Sequence, residues 1–420
     1  MGFPTLIVEV GFGGAPGTEY LFLDDTVRGK FDTGLFAPDF VGTDVTDSVR
    51  SVSIRRGRQR LLEHFQAGTA TIVLDNATGN FDPNNLSGQY VSAGASLVKP
   101  MVRVRVRATW SGTTYSLFHG FADAWDCEYP EFGDDAITVL QVSDGFKVLA
   151  RHEPGAASGS AGASEDSGAR IGRILNSAGW PGDDRDLDTG NSTMQATTLN
   201  EGSLSEAQAV ALSEGGHLFL NADGKVTFRN RHSRIEDTRS INVQATFDDD
   251  GTDLPYSSAT TANDDDLIKN LITATRTGGA AQTATDGTSV ADFLTRTYNA
   301  SGMWLETDAE VANWATWVLQ LFKNFESRVE SVELRPQRND NLWPVVLGSE
   351  FGDLMLVHRR PTVGDAVSKY VFLEGVEHQM SPKHWNSRFN FSSASGIYAS
   401  WMILDNTVSG KFDTGKFAPY

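Results

Sequence analysis

Apolar and polar residues alternate with a period of two over residues 45–56 (VTDSVRSVSIRR) and 67–75 (AGTATIVLD), the pattern of strands that bury one face. A cluster of Asn, Gly, Asp and Pro between Asn76 and Asn85 supplies a turn after them. The run 101–108 (MVRVRVRA) then sets Val102, Val104 and Val106 on one face and Arg103, Arg105 and Arg107 on the other. With 115–124 and 136–142 these segments predict a β-barrel or sandwich over residues 1–150. The stretch 154–168 (PGAASGSAGASEDSG) is small and polar, so 151–168 reads as a linker. Helical spacing follows at 171–178 and 205–213, with Ser203 or Ser205 as an N-cap. Residues 217–230 (HLFLNADGKVTFRN) predict a hairpin turning on Asp223 and Gly224. Together they make a small α+β module over 169–234.

From about residue 235 the pattern returns to strands, notably 267–275 and 328–334, around a long helix at 308–325. Val311, Trp314, Ala315, Val318 and Phe322 share one face of that helix, which reads as core. The expected class is mainly β with an α+β middle: two related β-barrel-like domains, 1–150 and 235–400, flanking the module.

Internal repetition supports the pairing of the two ends. LDDTVRGKFDTGLFAP at 23–38 recurs as LDNTVSGKFDTGKFAP at 404–419, changed only at Asp25/Asn406, Arg28/Ser409 and Leu35/Lys416. The second copy lies in a C-terminal segment, 401–420. A fainter echo links YSLFHGFAD at 115–123 with YVFLEGVEH at 370–378, and ITVLQVSDG at 137–145 with FNFSSASG at 389–396. Within the strong motif, Gly29, Gly34, Gly410 and Gly415 permit tight turns, and Phe31, Phe36, Phe412 and Phe417 offer apolar anchors. Each copy either docks a partner or covers a strand edge of its own domain.

Length and charge narrow the function. At 420 residues the chain exceeds a single core. A net charge of −19 argues against gripping nucleic acid by its phosphates and leaves DNA as something that slides past. Cys127 is the single cysteine and has neither a disulfide partner nor a zinc motif around it. No apolar run approaches a membrane span and no secretion signal opens the chain, so a soluble protein without a membrane anchor is expected.

Candidate chemistry is sparse. None of the eight histidines sits in HExxH or HxH, and between His378 and His384 the run QMSPK suggests a turn. Asp248–Asp250 with Asp253, and Asp264–Asp266, lack calcium-loop spacing and read as solvated loops; Asp75, Asn76 and Asp82 are what a turn requires. GxSxG, Walker A and GxGxxG elements are missing, and no catalytic residue, metal ligand or cofactor is expected. The arginines stand out in so acidic a chain. Arg55, Arg56, Arg58 and Arg60 crowd one hairpin, and Arg103, Arg105 and Arg107 line one strand face. They read either as forked donors to carboxylates of a neighbouring subunit or as a solvated face.

DVTDSVRSVSIRRGRQRLLEHFQAGTATIVLDNATGNFDPNN at 44–85 resembles the first domain of minor tail proteins of long-tailed phages infecting actinobacteria. LFHGFADAW at 117–125 is similar to a later segment of that family, and the likeness is specific over 20–150. The wider architecture resembles phage tail hubs. The resemblance implies a non-enzymatic structural protein at the distal tail tip of the virion, assembled in the host cytoplasm. It implies a homotrimer whose two similar domains per subunit give a pseudo-sixfold ring. That ring would close the tail tube and anchor tip proteins during attachment and genome delivery. Implied partners are the distal tail or tail tube ring, the tape measure protein and downstream tip or fibre proteins, with DNA only in transit. The alternatives are a distal tail adaptor, a cell-wall glycan-binding tail protein using Trp180, Trp304, Trp343, Trp385 or Trp401, and a tail-associated hydrolase.

Overall fold

The computed structural model describes residues 2–12, 42–59, 61, 63–131, 135–153, 161–199 and 201–395. Both copies of the strong motif, with Phe31, Phe36, Phe412 and Phe417, and also Arg60 and Trp401, lie outside those residues.

Seven strands form the first sheet: β1 (Thr5–Val10), β2 (Thr43–Asp44), β3 (Val49–Gly57), β4 (Gln66–Asp75), β5 (Arg103–Trp110), β6 (Thr113–Glu128) and β7 (Ile137–Ser143). They lie side by side in the order β2-β1-β5-β6-β7-β4-β3. The period-two pattern does its expected work. Val52, Ile54, Ala70, Ile72, Val104, Val106, Leu140 and Val142 are buried on one face. β1 (TLIVEV) is too short and too uniformly apolar to show alternation, and its pairing with β5 sets it beside the arginine strand.

The middle module packs α1 (Phe146–Arg151), α2 (Ser167–Ser177) and α3 (Ser203–Glu214) on a sheet of β8 (Arg185–Leu187), β9 (His217–Leu220) and β10 (Val226–Arg229). Asp166 caps α2 by accepting from the Ala169 amide at 2.9 Å, and Gly202, not Ser203 or Ser205, is the N-cap of α3. Glu165 takes Arg170 and Arg173, so the described end of the glycine-rich stretch is built into the module. The hairpin turn runs over 221–225 instead of two residues, with Gly224 at φ +82° at its tip. Two short helices, α4 (Ser233–Glu236) and α5 (Thr238–Ile241), lead onward.

The second sheet contains β11 (Val243–Asp248), β12 (Leu254–Pro255) and β13 (Ser258–Ala262). After a separate sheet of β14 (Leu271–Arg276), β15 (Gln282–Thr285) and β16 (Thr297–Met303) comes α6 (Asp308–Phe322). It begins with a capping box between Thr307 and Glu310, and its expected apolar face is buried. β17 (Arg328–Leu334), α7 (Leu342–Gly348), β18 (Leu354–Arg359), β19 (Val367–Ser381) and β20 (His384–Ser393) complete the sheet. Its order is β12-β11-β18-β19-β20-β17-β13.

Numbered by rank along the chain, both sheets therefore read 2-1-5-6-7-4-3. Each contains one long strand, β6 or β19, that pairs on one edge with the preceding strand and on the other with the following one. Each long strand carries a bulge, at Asp123 in β6 and at Glu374 in β19. Just before it, Ala122 exchanges both backbone hydrogen bonds with residues 101 and 102, and Leu373 does so with 352 and 353. By these marks Glu374 corresponds to Asp123. The echo seen in the sequence thus lies in equivalent strands but four residues out of structural register. One departure is that β11 runs parallel to β18 whereas β1 runs antiparallel to β5.

The mainly β class with an α+β middle holds, yet neither half closes into a barrel among the described residues. The free edge of β3 meets the second sheet instead of its own, which joins the two seven-stranded sheets into one of 14 strands. α7 of the second half covers the first sheet, with Trp343 packed between Trp110 and Trp385 at 5.7 and 5.2 Å between ring centroids.

Candidate assembly interface

The joint between the two sheets is where charge, a close backbone approach and all three parts of the chain converge. β3 runs antiparallel to the outer half of β19, from Val52 opposite Met380 to Gly57 opposite Gly375. Gly57 adopts φ +97°, and a Cβ there would lie 2.3 Å from the Glu374 carbonyl oxygen. Only glycine allows the backbones to approach so closely. The following amide, of Arg58, donates to that same carbonyl at 2.9 Å.

Glu374 is fully buried at the bulge. Its Oε2 accepts from Arg58 Nε at 2.8 Å, and its Oε1 accepts from Arg234 of α4 and from Ser392 Oγ of β20, each at 2.5 Å. Burial alone would raise its pKa, but Arg234 and Arg58 outweigh that and hold the carboxyl below the ordinary glutamate range. The guanidinium groups lie over Phe65 and Phe372. Arg58 also donates to His217 Nδ1 at 3.2 Å, and burial, with Arg234 and Arg58 nearby, keeps that ring neutral and able to accept.

A second three-way contact lies beside it. Arg56 reaches both oxygens of Glu350 at 3.2 and 3.3 Å, while Glu350 Oε2 accepts from the Ala222 amide in the module's hairpin turn. Across the turn, His119 of β6 donates from Nδ1 to the Asp223 carbonyl at 3.0 Å, packed on Gly224. Where α1 leaves the first sheet, buried Asp144 accepts from the Gly68 and Phe146 amides, and burial lifts its pKa to about 7. His378 donates to or accepts from Ser387 Oγ at 2.8 Å, and its burial depresses its pKa to about 3. His384 is exposed and has no part in this pair.

The joined sheets can be compared with solved structures. The 43 kDa tail protein of prophage MuSo2 from Shewanella oneidensis aligns with a TM-score of 0.55 at 13% identity, covering 94% of this chain and 98% of that one. A tail protein from Neisseria meningitidis MC58 aligns at 0.56 and 12%, covering 93% and 97%. The chain has the fold of a phage tail protein. No family model and no curated protein matches its sequence.

Within this tail-protein fold the arginines separate into distinct settings. Arg56 and Arg58 find their carboxylates in the same chain, between its two halves, and are buried. Arg55 pairs with Glu377 across the joint at 3.6 Å. Arg105 and Arg107 share Glu9 of β1, and Arg103 lies over the Phe121 ring. The acidic loops are tied as well: Asp248, Asp249 and Asp250 surround Arg360, Asp264 holds Arg328 and Asp265 holds Arg296. Asp75 pairs with Arg50, Asn76 Oδ1 accepts from the Phe81 amide and Asp82 takes the Tyr129 hydroxyl. Trp343 and Trp385 are core, and Trp180 and Trp304 are partly buried. Cys127 is half-buried against Thr138. No helix among the described residues is long and apolar enough to cross a membrane.

The sequence reading missed Glu374, Glu350, Arg234 and Glu9. Glu374 carried a signal: a carboxylate, followed by glycine, inside an apolar run (YVFLEGV). Its partners, 140 and 316 residues away in sequence, carried none.

Proposed function

We propose that this chain is a structural, non-enzymatic tail-hub subunit of a phage, of the kind carried by long-tailed phages of actinobacteria. Three copies form a ring at the distal tail tip of the virion, assembled in the host cytoplasm. The observation that carries the reading is the duplicated sheet: three copies present six sheets of one strand order, which matches a sixfold tube from a threefold assembly. The domains are 1–150 and 235–400, with 169–234 between them.

The ring closes the distal tube, receives the tail tube or distal tail ring and the tape measure protein above, and anchors tip or fibre proteins below. The acidic balance suits a lumen through which DNA passes without being held. Immunogold labelling of intact virions with antibody to the purified chain tests the placement. Label at the distal tail end is expected; label confined to the capsid or neck would refute it.

A further inference from the structure

β3 uses one edge for β4 and the other for the outer half of β19. β13 holds in the second sheet the place that β3 holds in the first: third in chain order, last in the row, bonded on one side to the fourth strand. Its other edge bears no strand among the described residues, and Ser258, Thr260 and Thr261 are exposed. β6 in turn holds the place of β19. Beyond the bulge at Asp123, its outer half pairs with β7 on one edge, and the edge corresponding to the one β3 occupies on β19 bears no strand among the described residues. Among the described residues each chain therefore makes one such joint and carries both halves of a second, unmade one. Exposed sheet edges are ordinarily covered or blunted.

We infer that β13 of one copy pairs antiparallel with the outer half of β6, about residues 124–128, of the next copy. This rests on the ring reading above and names the surface that closes the ring head to tail. The register follows from matching rows. Val52, Ile72, Leu140 and Trp125 stand opposite one another across β3, β4, β7 and β6. Ala259, Val332, Phe389 and Val376 form the corresponding row across β13, β17, β20 and β19. In the joint within the chain, Arg55 faces Glu377, the residue after Val376, and their side chains touch. The counterpart of Glu377 is Asp126, after Trp125. The counterpart of Arg55 is Thr261: it faces Val329, three before Val332, as Arg55 faces Thr69, three before Ile72.

The two joints differ in their lock. Glu374 receives Arg58 across the joint, whereas Asp123 is already taken by Lys147 of α1 and by Ser143 Oγ of its own sheet. Where Arg58 stands two residues after Arg56, Asp264 stands two after Ala262 and is bound to Arg328. The joint between copies thus lacks a buried ion pair, and a ring that opens does so between copies, not between the halves of one chain.

Paired cysteines in a Cys127→Ser background test this on the full chain, with oligomeric mass measured by light scattering before oxidation. Asp126→Cys combined with Thr261→Cys should give a ladder of covalent dimers and trimers on mild oxidation. Neither single variant should give trimers. Arg55→Cys with Glu377→Cys should oxidise to a monomer on a denaturing gel, showing that the equivalent geometry permits a disulfide. A trimer mass without a ladder, when the second cysteine is moved in turn to Thr260, Thr261 and Ala262, overturns the pairing and leaves the ring standing. A mass that stays that of one chain at all concentrations overturns the ring and the pairing with it.

Discussion

At the scale of single residues, Glu374 is the group on which the chain's three parts depend. Removing one partner of a buried ion pair leaves the others charged and unpaired, which costs about 3–5 kcal/mol, whereas replacing the whole set with apolar side chains is often neutral. Glu374→Ala is therefore expected to lower unfolding stability by about that amount, and Glu374→Leu with Arg58→Met and Arg234→Met to recover most of it. Urea unfolding measures both.

Two other buried groups act on pH dependence with opposite signs. Asp144, raised to about 7, binds its proton in the folded state first, so its contribution is full below pH ~4 and declines as pH rises through 7. His378, lowered to about 3, is protonated first in the unfolded chain, so its contribution is lost as pH falls from 6.5 towards 3. Between pH 4 and 6.5 the two slopes oppose each other, each on the order of 1.4 kcal/mol per pH unit. Relative to the parent chain, Asp144→Asn should gain stability more steeply as pH rises across that window, and His378→Phe should lose it. Denaturant midpoints at three pH values across the window would reveal parallel shifts if neither group carried such a slope. None of this was legible beforehand, since a histidine or aspartate in a strand pattern does not disclose its desolvation.

At the scale of elements, much of the fold was readable. The strands at 49–57, 66–75, 103–110 and 137–143 follow the period-two pattern because one face is buried and the other is not. α6 was readable from its apolar stripe, and the structure adds a capping box between Thr307 and Glu310 at its start. Thr307→Ala removes the cap and should cost about 1 kcal/mol, seen as a lower thermal midpoint. β13 (SATTA) was not readable, because a strand exposed on much of its surface shows no alternation. Nor was the bulge at Glu374, which depends on an extra residue relative to a partner strand. The repeated motif at 23–38 and 404–419 gives a prediction of its own: deleting 402–420 should abolish trimers and assembled tips if the copies dock partners. Normal trimers and tips in that deletion would instead favour edge covering.

At the scale of the whole molecule, the sequence echo pointed to two related halves, and the structure supplies the matching strand order that the echo, four residues out of register, could not. The proposed ring is not displayed by a single chain, because the inferred second joint requires a second copy. The central claim is that three duplicated chains make six near-equivalent sheets around one axis. An electron cryomicroscopy reconstruction of the intact tail tip, refined without imposed symmetry, tests it most directly. The account predicts three copies of this chain whose sheets alternate first, second, first, second around a pseudo-sixfold ring. Six copies in the ring, or three that touch only through a single half each, would contradict it.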